Sequence, residues 1–216
     1  MQESKTREKV LKKIRQALIR KPHVTSVDPD LESNVYVVSE GDPQVLFEKA
    51  FTGAGGSFLI CESELDFVEH LVTLAQERKW NRFVCFEKKI KDHLDECHFP
   101  YSDLAYDFAK PAIGITLCES MVVRTGSVFV SSQQGSGRRL PVFPDAHIVL
   151  GYVSQLVPDI KDALQLIRTK YGANFPSMIT MITGPSRTAD IEKILVKGAH
   201  GPKEIFLFLV NDLGKK

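Results

Sequence analysis

The strongest constraint on this chain is a regular alternation of strand-like and helix-like runs that begins at Val35. Val35-Tyr36-Val37-Val38 reads as a strand, and 42–50 as a helix opened by Gly41-Asp42-Pro43. Gly53-Ala54-Gly55-Gly56 is a turn, and 57–61 a second strand. A helix over 64–79 follows, with Leu65, Val68, Leu71, Val72 and Ala75 at helical spacing, then a strand over 82–86 and a short helix over 88–95. Strands separated by helices of this length need crossover connections, so they lie parallel, with the helices on the faces of the sheet. The expected fold is α/β: a mostly parallel sheet with flanking helices, preceded by an N-terminal helix. The expected division is 1–33 for the N-terminal helix and linker and 34–216 for the α/β domain.

The N-terminal helix is read over 3–20 from Val10, Leu11, Ile14, Ala17 and Leu18 at helical spacing, with Lys9, Lys12, Lys13 and Arg15 between them; Pro22 ends it. Its basic side is either a solvated face or a docking arm for a partner subunit. The net charge of +1 gives no global pull toward nucleic acid. No apolar run reaches the ~20 residues needed to span a bilayer. The charged N-terminus lacks a signal-peptide core, so the expected location is the cytoplasm. Four cysteines, Cys61, Cys85, Cys97 and Cys118, are widely spaced and form no C-x-x-C pair. That pattern offers no ligand run for an iron–sulfur cluster, and Cys61 and Cys85 read as buried thiols in strands.

The middle of the chain changes character. Residues 114–123 place Cys118 and Glu119 in an otherwise apolar segment, and Arg124-Thr125-Gly126-Ser127 leads into a strand at 128–130. A buried carboxylate can act as a base or pair with an arginine, and Arg124 is the nearby partner. Residues 131–139, Ser-Ser-Gln-Gln-Gly-Ser-Gly-Arg-Arg, make a polar loop longer than a hairpin requires. Arg138 and Arg139 can clamp an anion there or sit on a solvated loop tip. His147 lies in a buried strand over 146–150 and reads as a satisfied core histidine, or as one that reaches a pocket from the strand end.

Order returns with a helix over 158–171, in which Ile160, Ala163, Leu164 and Ile167 face inward and Gly172 follows the end. The apolar run 178–182 then feeds Thr183-Gly184-Pro185-Ser186-Arg187-Thr188, read as a turn that opens a helix over 189–196. Gly184 permits close backbone approach, Pro185 stops the strand, and Ser186 or Thr188 can cap the helix. Arg187 offers a planar fork beside free helix-terminal N–H groups, which is the chemistry of an anion site. The same residues also describe an ordinary capped turn. Asp190 reads as a brace for the loop. His200 lies between glycines before a last strand at 204–210 and reads as exposed.

Several of these segments together resemble one known family. They are Gly114-Ile115-Thr116, Thr125-Gly126-Ser127, Gly137-Arg138-Arg139-Leu140, Pro144 with His147-Ile148-Val149, residues 182–192 (ITGPSRTADIE), and Gly198-Ala199-His200-Gly201-Pro202. Over residues 35–212 the chain resembles the lactate utilization protein C family, the LUD domain. The resemblance implies a fold similar to the CoA-transferase and ribose-phosphate-isomerase group and to formyltetrahydrofolate cyclo-ligase. It also implies a part in oxidising L-lactate to pyruvate with companion proteins that carry iron–sulfur clusters. Many members have Glu-Thr-Gly where this chain has Arg124-Thr125-Gly126, so a role for that acid does not carry over; Arg124 becomes a candidate for a substrate carboxylate.

The expected function is a subunit or accessory protein of an L-lactate utilization system that binds a small anionic ligand. The alternative is a stand-alone enzyme acting on a phosphorylated, CoA-linked or folate-like anion. Whether the chain is itself an enzyme stays open. The expected ligand-binding set is Arg124, Thr125, Gly126, Ser127, Arg138, Arg139, Gly184, Ser186, Arg187 and Thr188. Glu119 and His200 are the catalytic candidates. No metal site and no cofactor on this chain are expected, and the iron–sulfur clusters belong to the partner proteins.

Overall fold

The computed structural model of the protein describes residues 3–19, 40–104, 112–188 and 196–213. The strand expected at 35–38, the linker at 22–33 and the brace Asp190 lie outside them. The chain divides into two compact units, Met1–Val37 and Val38–Lys216. The first contains α1 (Glu3–Ile19), an amphipathic helix on which Val10, Leu11, Ile14 and Ile19 are exposed.

The second unit runs through α2 (Pro43–Gly53), β1 (Ser57–Cys61), α3 (Glu64–Arg78), β2 (Phe83–Cys85), α4 (Lys88–Glu96) and β3 (Ile113–Leu117). It continues through β4 (Ser120–Val122), β5 (Ser127–Ser131), β6 (Ala146–Tyr152), β7 (Leu156–Val157) and α5 (Ile160–Tyr171). It closes with β8 (Ile179–Ile182), β9 (Arg187–Thr188), β10 (Val196–Lys197) and β11 (Glu204–Val210). Local chemistry sets many of these boundaries. Asp42 accepts a hydrogen bond from the Gln44 N–H at 2.7 Å, with Pro43 in the first turn of α2. Ser63 caps α3 through the Asp66 N–H, and Lys79 in the left-handed region ends it.

Among the described residues, β1, β11, β6, β3 and β2 form a sheet in that order, every neighbouring pair parallel. The last strand of the chain is therefore central. Its run Glu-Ile-Phe-Leu-Phe-Leu-Val suits that place: Phe206, Phe208 and Val210 face one core, and Ile205, Leu207 and Leu209 the other. The first core is closed by Phe67, Val68 and Leu71 of α3 and Ile90 and Leu94 of α4. The second is closed by Phe47 and Phe51 of α2 and by Met121, Val128 and Val130.

Those last three residues belong to a second sheet, β7-β4-β5-β8, in which β5 is antiparallel to both neighbours and β7 parallel to β4. Alternation puts Val122 and Phe129 on its far face, against Ala163 and Ile167 of α5. The order of layers is helices, parallel sheet, second sheet with α2, and α5. The run at 114–123 is thus two strands that serve different sheets, divided at Cys118-Glu119.

Two helix faces differ from expectation. On α3, Phe67 is buried while Leu65 and Val72 are exposed. The buried set 67, 68, 71, 75 is a tighter 3.6-residue stripe than the expected one. On α5, Leu164 is exposed for the same reason. The helix expected over 189–196 is corrected at Val196. Val196 and Lys197 pair antiparallel with Thr188 and Arg187, so the turn leads into a two-residue strand and Val196 is a strand residue, not a helix end. The intervening 189–195 lie outside the described residues.

Candidate functional site

The turns singled out from sequence meet at one end of the second sheet, beside the N-terminal ends of β1 and β11. Ser127 opens β5 with its hydroxyl fully buried. That hydroxyl donates to Thr125 Oγ1 at 2.7 Å and lies 2.7 Å from Thr183 Oγ1. The turn before it is pressed on α2: a Cβ on Gly126 (φ +59°) would lie 2.3 Å from the Phe51 nitrogen. Gly184 (φ +76°) packs on the Ala54 carbonyl oxygen in the same way. The end of α2 is therefore wedged between the Gly126 and Gly184 turns. Phe47 and Phe51 hold it there, stacked at 5.6 Å and fully buried; burying the two rings contributes roughly 3–6 kcal/mol.

Arg187 lies against this wedge. A Cβ on Gly55 would be 1.9 Å from an Arg187 guanidinium nitrogen, so only glycine leaves room for the side chain to lie on the Gly55 backbone. The residue is exposed, and among the described residues its guanidinium has no hydrogen-bond or ion-pair partner. A guanidinium is a donor-only group whose planar fork matches an anion. Ser186 joins the two motif turns: its N–H donates to the Pro202 carbonyl at 2.9 Å, and its carbonyl accepts from the Gly198 N–H at 3.0 Å. His200 sits on the second of these turns, exposed as expected.

Arg124 is at the same end but is engaged. Its Nε and an Nη donate to the Asp159 carboxylate at 3.0 and 2.8 Å. Those bonds hold the Asp159 carboxyl below its usual range. Asp159 also caps α5 through the Ile160 N–H. A substrate carboxylate at Arg124 would have to displace a residue that anchors a helix.

Glu119 and the 131–139 loop lie at the opposite end. Glu119 is buried and pairs not with Arg124 but with α5: it accepts from Lys170 Nζ at 2.7 Å, Tyr171 OH at 2.7 Å and Ser131 Oγ at 2.6 Å. The helix end that supplies these donors is about 50 residues away in sequence, which is why Arg124 was the nearest visible partner. Desolvation by itself would lower the Lys170 pKa, but the bond to Glu119 and its charge raise it. Arg138 donates to Ser177 Oγ at 2.5 Å, and Arg139 is exposed. The loop's own amides are filled internally: Glu87, buried, accepts from the Gly135 and Ser136 N–H groups at 3.3 and 3.0 Å.

Register separates the two ends. Ser131 is opposite Ile179 and Val128 opposite Ile182, so the Arg138 loop and the Arg187 turn are divided by the length of β5, about 13 Å. The expected ligand-binding set therefore falls in two separate places, with Arg138 and Arg139 at one and Arg187 at the other. A surface groove of about 850 Å³ opens along α5 between Ile160, Leu164, Arg168 and Phe175.

Between the sheets lies His147, fully buried on β6. Its Nε2 is 2.9 Å from Thr116 Oγ1, while Nδ1 has no partner. The expected satisfied histidine is half satisfied. Burial pushes its pKa down to about 3, so it is neutral at physiological pH.

Residues that the sequence did not single out are Gly55, Glu87, Asp159, Thr183, Lys170 and Tyr171. Thr183 was legible as a hydroxyl inside the same turn. The others act through contacts far apart in sequence.

Comparison with known proteins agrees with this fold. A solved relative described as a DUF162 family protein from Deinococcus radiodurans superposes with a TM-score of 0.57 at 17% identity, covering 78% of this chain and 96% of its own. Lactate utilization protein C 1 of Bacillus mycoides (strain KBAB4) is 31% identical over 131 residues, 59% of this chain and 56% of its own length. Lactate utilization protein C of Bacillus subtilis (strain 168) is 38% identical over 102 residues, 46% of this chain and 42% of its own. The chain thus spans about half the length of the curated relatives it matches. Residues 5–210 match the LUD domain, and the chain belongs to that family.

Proposed function

We propose that the protein serves an L-lactate utilization system as a subunit or accessory protein, and that it binds a small anionic ligand at the turn around Arg187. Family membership and the similarity to two lactate utilization C proteins support the first part. One observation carries the second. The Arg187 guanidinium, unpaired among the described residues, rests on the Gly55 backbone, beside the end of α2 that is wedged between the Gly126 and Gly184 turns. A guanidinium that rests on backbone on one side keeps its other edge for a planar, bidentate carboxylate.

In this reading, electrons from lactate pass to partner proteins that carry iron–sulfur clusters. Cys85 and Cys118 serve packing instead: they are buried in separate cores, where desolvation pushes the Cys85 thiol up to about 12. Among the described residues no helix is long and apolar enough to cross a membrane.

The test is complementation of a deletion strain on L-lactate, together with thermal unfolding. Arg187→Ala should fail to restore growth while its unfolding midpoint stays at the wild-type value, because the residue is exposed. L-lactate or pyruvate at 100 times Kd should add about 2.7 kcal/mol to the wild type and nothing to the variant. Normal lactate growth of the deletion strain removes the first part. Full growth with Arg187→Ala removes the second. A shift with a phosphorylated, CoA-linked or folate-like anion and none with lactate or pyruvate favours the stand-alone enzyme.

A further inference from the structure

We infer that Cys61 Sγ, a carboxylate oxygen of Asp66 and a ring nitrogen of His70 form a binding site for one divalent cation of the zinc class. The three donor atoms lie within 4.8 Å of one another, at the C-terminal end of β1 and the first turns of α3. Nothing in the spacing of these residues announces the site, because one donor is the last residue of a strand and the other two follow on the next helix.

The geometry is close to what such an ion needs. Zinc bonds of about 2.0–2.3 Å at tetrahedral angles put neighbouring donors about 3.4–3.6 Å apart. His70 Nδ1 is now 2.9 Å from Asp66 Oδ1 and 2.9 Å from the Asp66 carbonyl oxygen, and an ion bound at Nδ1 would replace both contacts. The other separations, none above 4.8 Å, close by up to about 1.4 Å, a shift that side-chain rotation can supply. Asp66 and His70 are four residues apart on α3, so they share one face of the helix.

Asp66 is already oriented. Its Oδ2 accepts from the Glu62 N–H at 2.8 Å, leaving Oδ1 turned toward His70. A ligating carboxylate held by a backbone amide is the outer-shell arrangement that metal sites use. This bond and the Ser63 bond to the Asp66 N–H account for Asp66 as a capping residue. They do not account for a thiol aimed at the same point from the strand.

Charge and ligand type select the ion. A thiolate, a carboxylate and a neutral imidazole balance a divalent charge, and mixed sulfur, nitrogen and oxygen donors suit zinc or cobalt and not magnesium or calcium. Binding replaces the Cys61 S–H bond with a sulfur–metal bond and releases that proton to solvent. Cys61 is fully buried, whereas the side chains of Asp66 and His70 are 26% and 43% exposed. The fourth position therefore opens to water on the His70 side, where water or an oxygen of a small anion completes the shell. This site is at the opposite end of β1 from the Gly55–Arg187 contact and does not depend on that reading. It is also at the carboxyl edge of the parallel sheet, where open α/β sheets hold ligands.

The test uses the full chain, freed of metal by chelator dialysis and titrated with cobalt(II). The expected result is one tight equivalent, with tetrahedral visible bands and a thiolate-to-cobalt charge-transfer band that zinc abolishes. Cys61→Ala should remove the charge-transfer band. His70→Ala, at a half-exposed helix position that tolerates alanine, should weaken binding by more than about tenfold and still fold. Cys97→Ala should retain the full spectrum, since Cys97 is the exposed thiol. No charge-transfer band in the wild type overturns the inference. So does a band that survives His70→Ala unchanged or disappears in Cys97→Ala.

Discussion

The buried histidine gives a stability change that can be worked out in advance. His147 carries a pKa of about 3 in the folded protein against an ordinary 6.5, and the cause is burial alone. The unfolded chain therefore takes up a proton below about pH 6.5 that the folded chain refuses until about pH 3. More protons on the unfolded side mean that stability falls as pH falls through this window. At pH 5, 1.5 units below the unfolded value at 1.36 kcal/mol per unit, the loss is about 2 kcal/mol relative to neutral pH. For a domain of this size that is about 4–8 °C in Tm. Carboxylates add their own slope, so the measurement is a difference: urea unfolding at pH 7 and pH 5 for the wild type and for His147→Gln. Glutamine keeps a partner for Thr116 Oγ1, now 2.9 Å from Nε2, but does not titrate. The wild type should lose about 2 kcal/mol more than the variant between the two pH values. Equal losses would show that His147 takes a proton in the folded state, and that the space around Nδ1 admits water.

Two further predictions concern packing and the Glu119 network. Gly126→Ala and Gly137→Ala both place a side chain at φ +59°, but only the first meets backbone atoms, at 2.3 Å. Gly137→Ala should cost about 1 kcal/mol and Gly126→Ala about 2–4 kcal/mol by denaturant unfolding, so equal costs would mean that α2 does not press on the turn. Glu119→Ala removes the acceptor of Ser131, Lys170 and Tyr171 and should cost about 3 kcal/mol. Lys170→Met should cost less than about 1 kcal/mol, because that lysine is half exposed; the reverse order would place the energy in the ion pair and not in the buried hydroxyls.

Cap and turn chemistry act over a few residues, so they can be read directly from the chain. Asp42-Pro43 opens α2, Gly172 follows α5, and the apolar run 204–210 is a strand buried on both faces. The α/β class follows from the same local signals. The motif turns were also legible as a group, and the structure joins the Ser186 and Gly201 turns by hydrogen bonds that no single stretch displays.

Three-dimensional packing decided the rest. That β11 lies between β1 and β6 is a choice among strands of similar apolarity, made by which faces bury together. The split of residues 113–122 between two sheets comes from a change of direction at Cys118-Glu119, where Glu119 finds Lys170 and Tyr171 on a helix far along the chain. Arg124 likewise meets Asp159, Glu87 fills the loop expected to hold an anion, and the three arginines part by the length of β5. Residue types set what each side chain can bind, and those were open to reading. Which partner each one meets depends on loop closures of tens of residues, whose geometry only the packed cores determine.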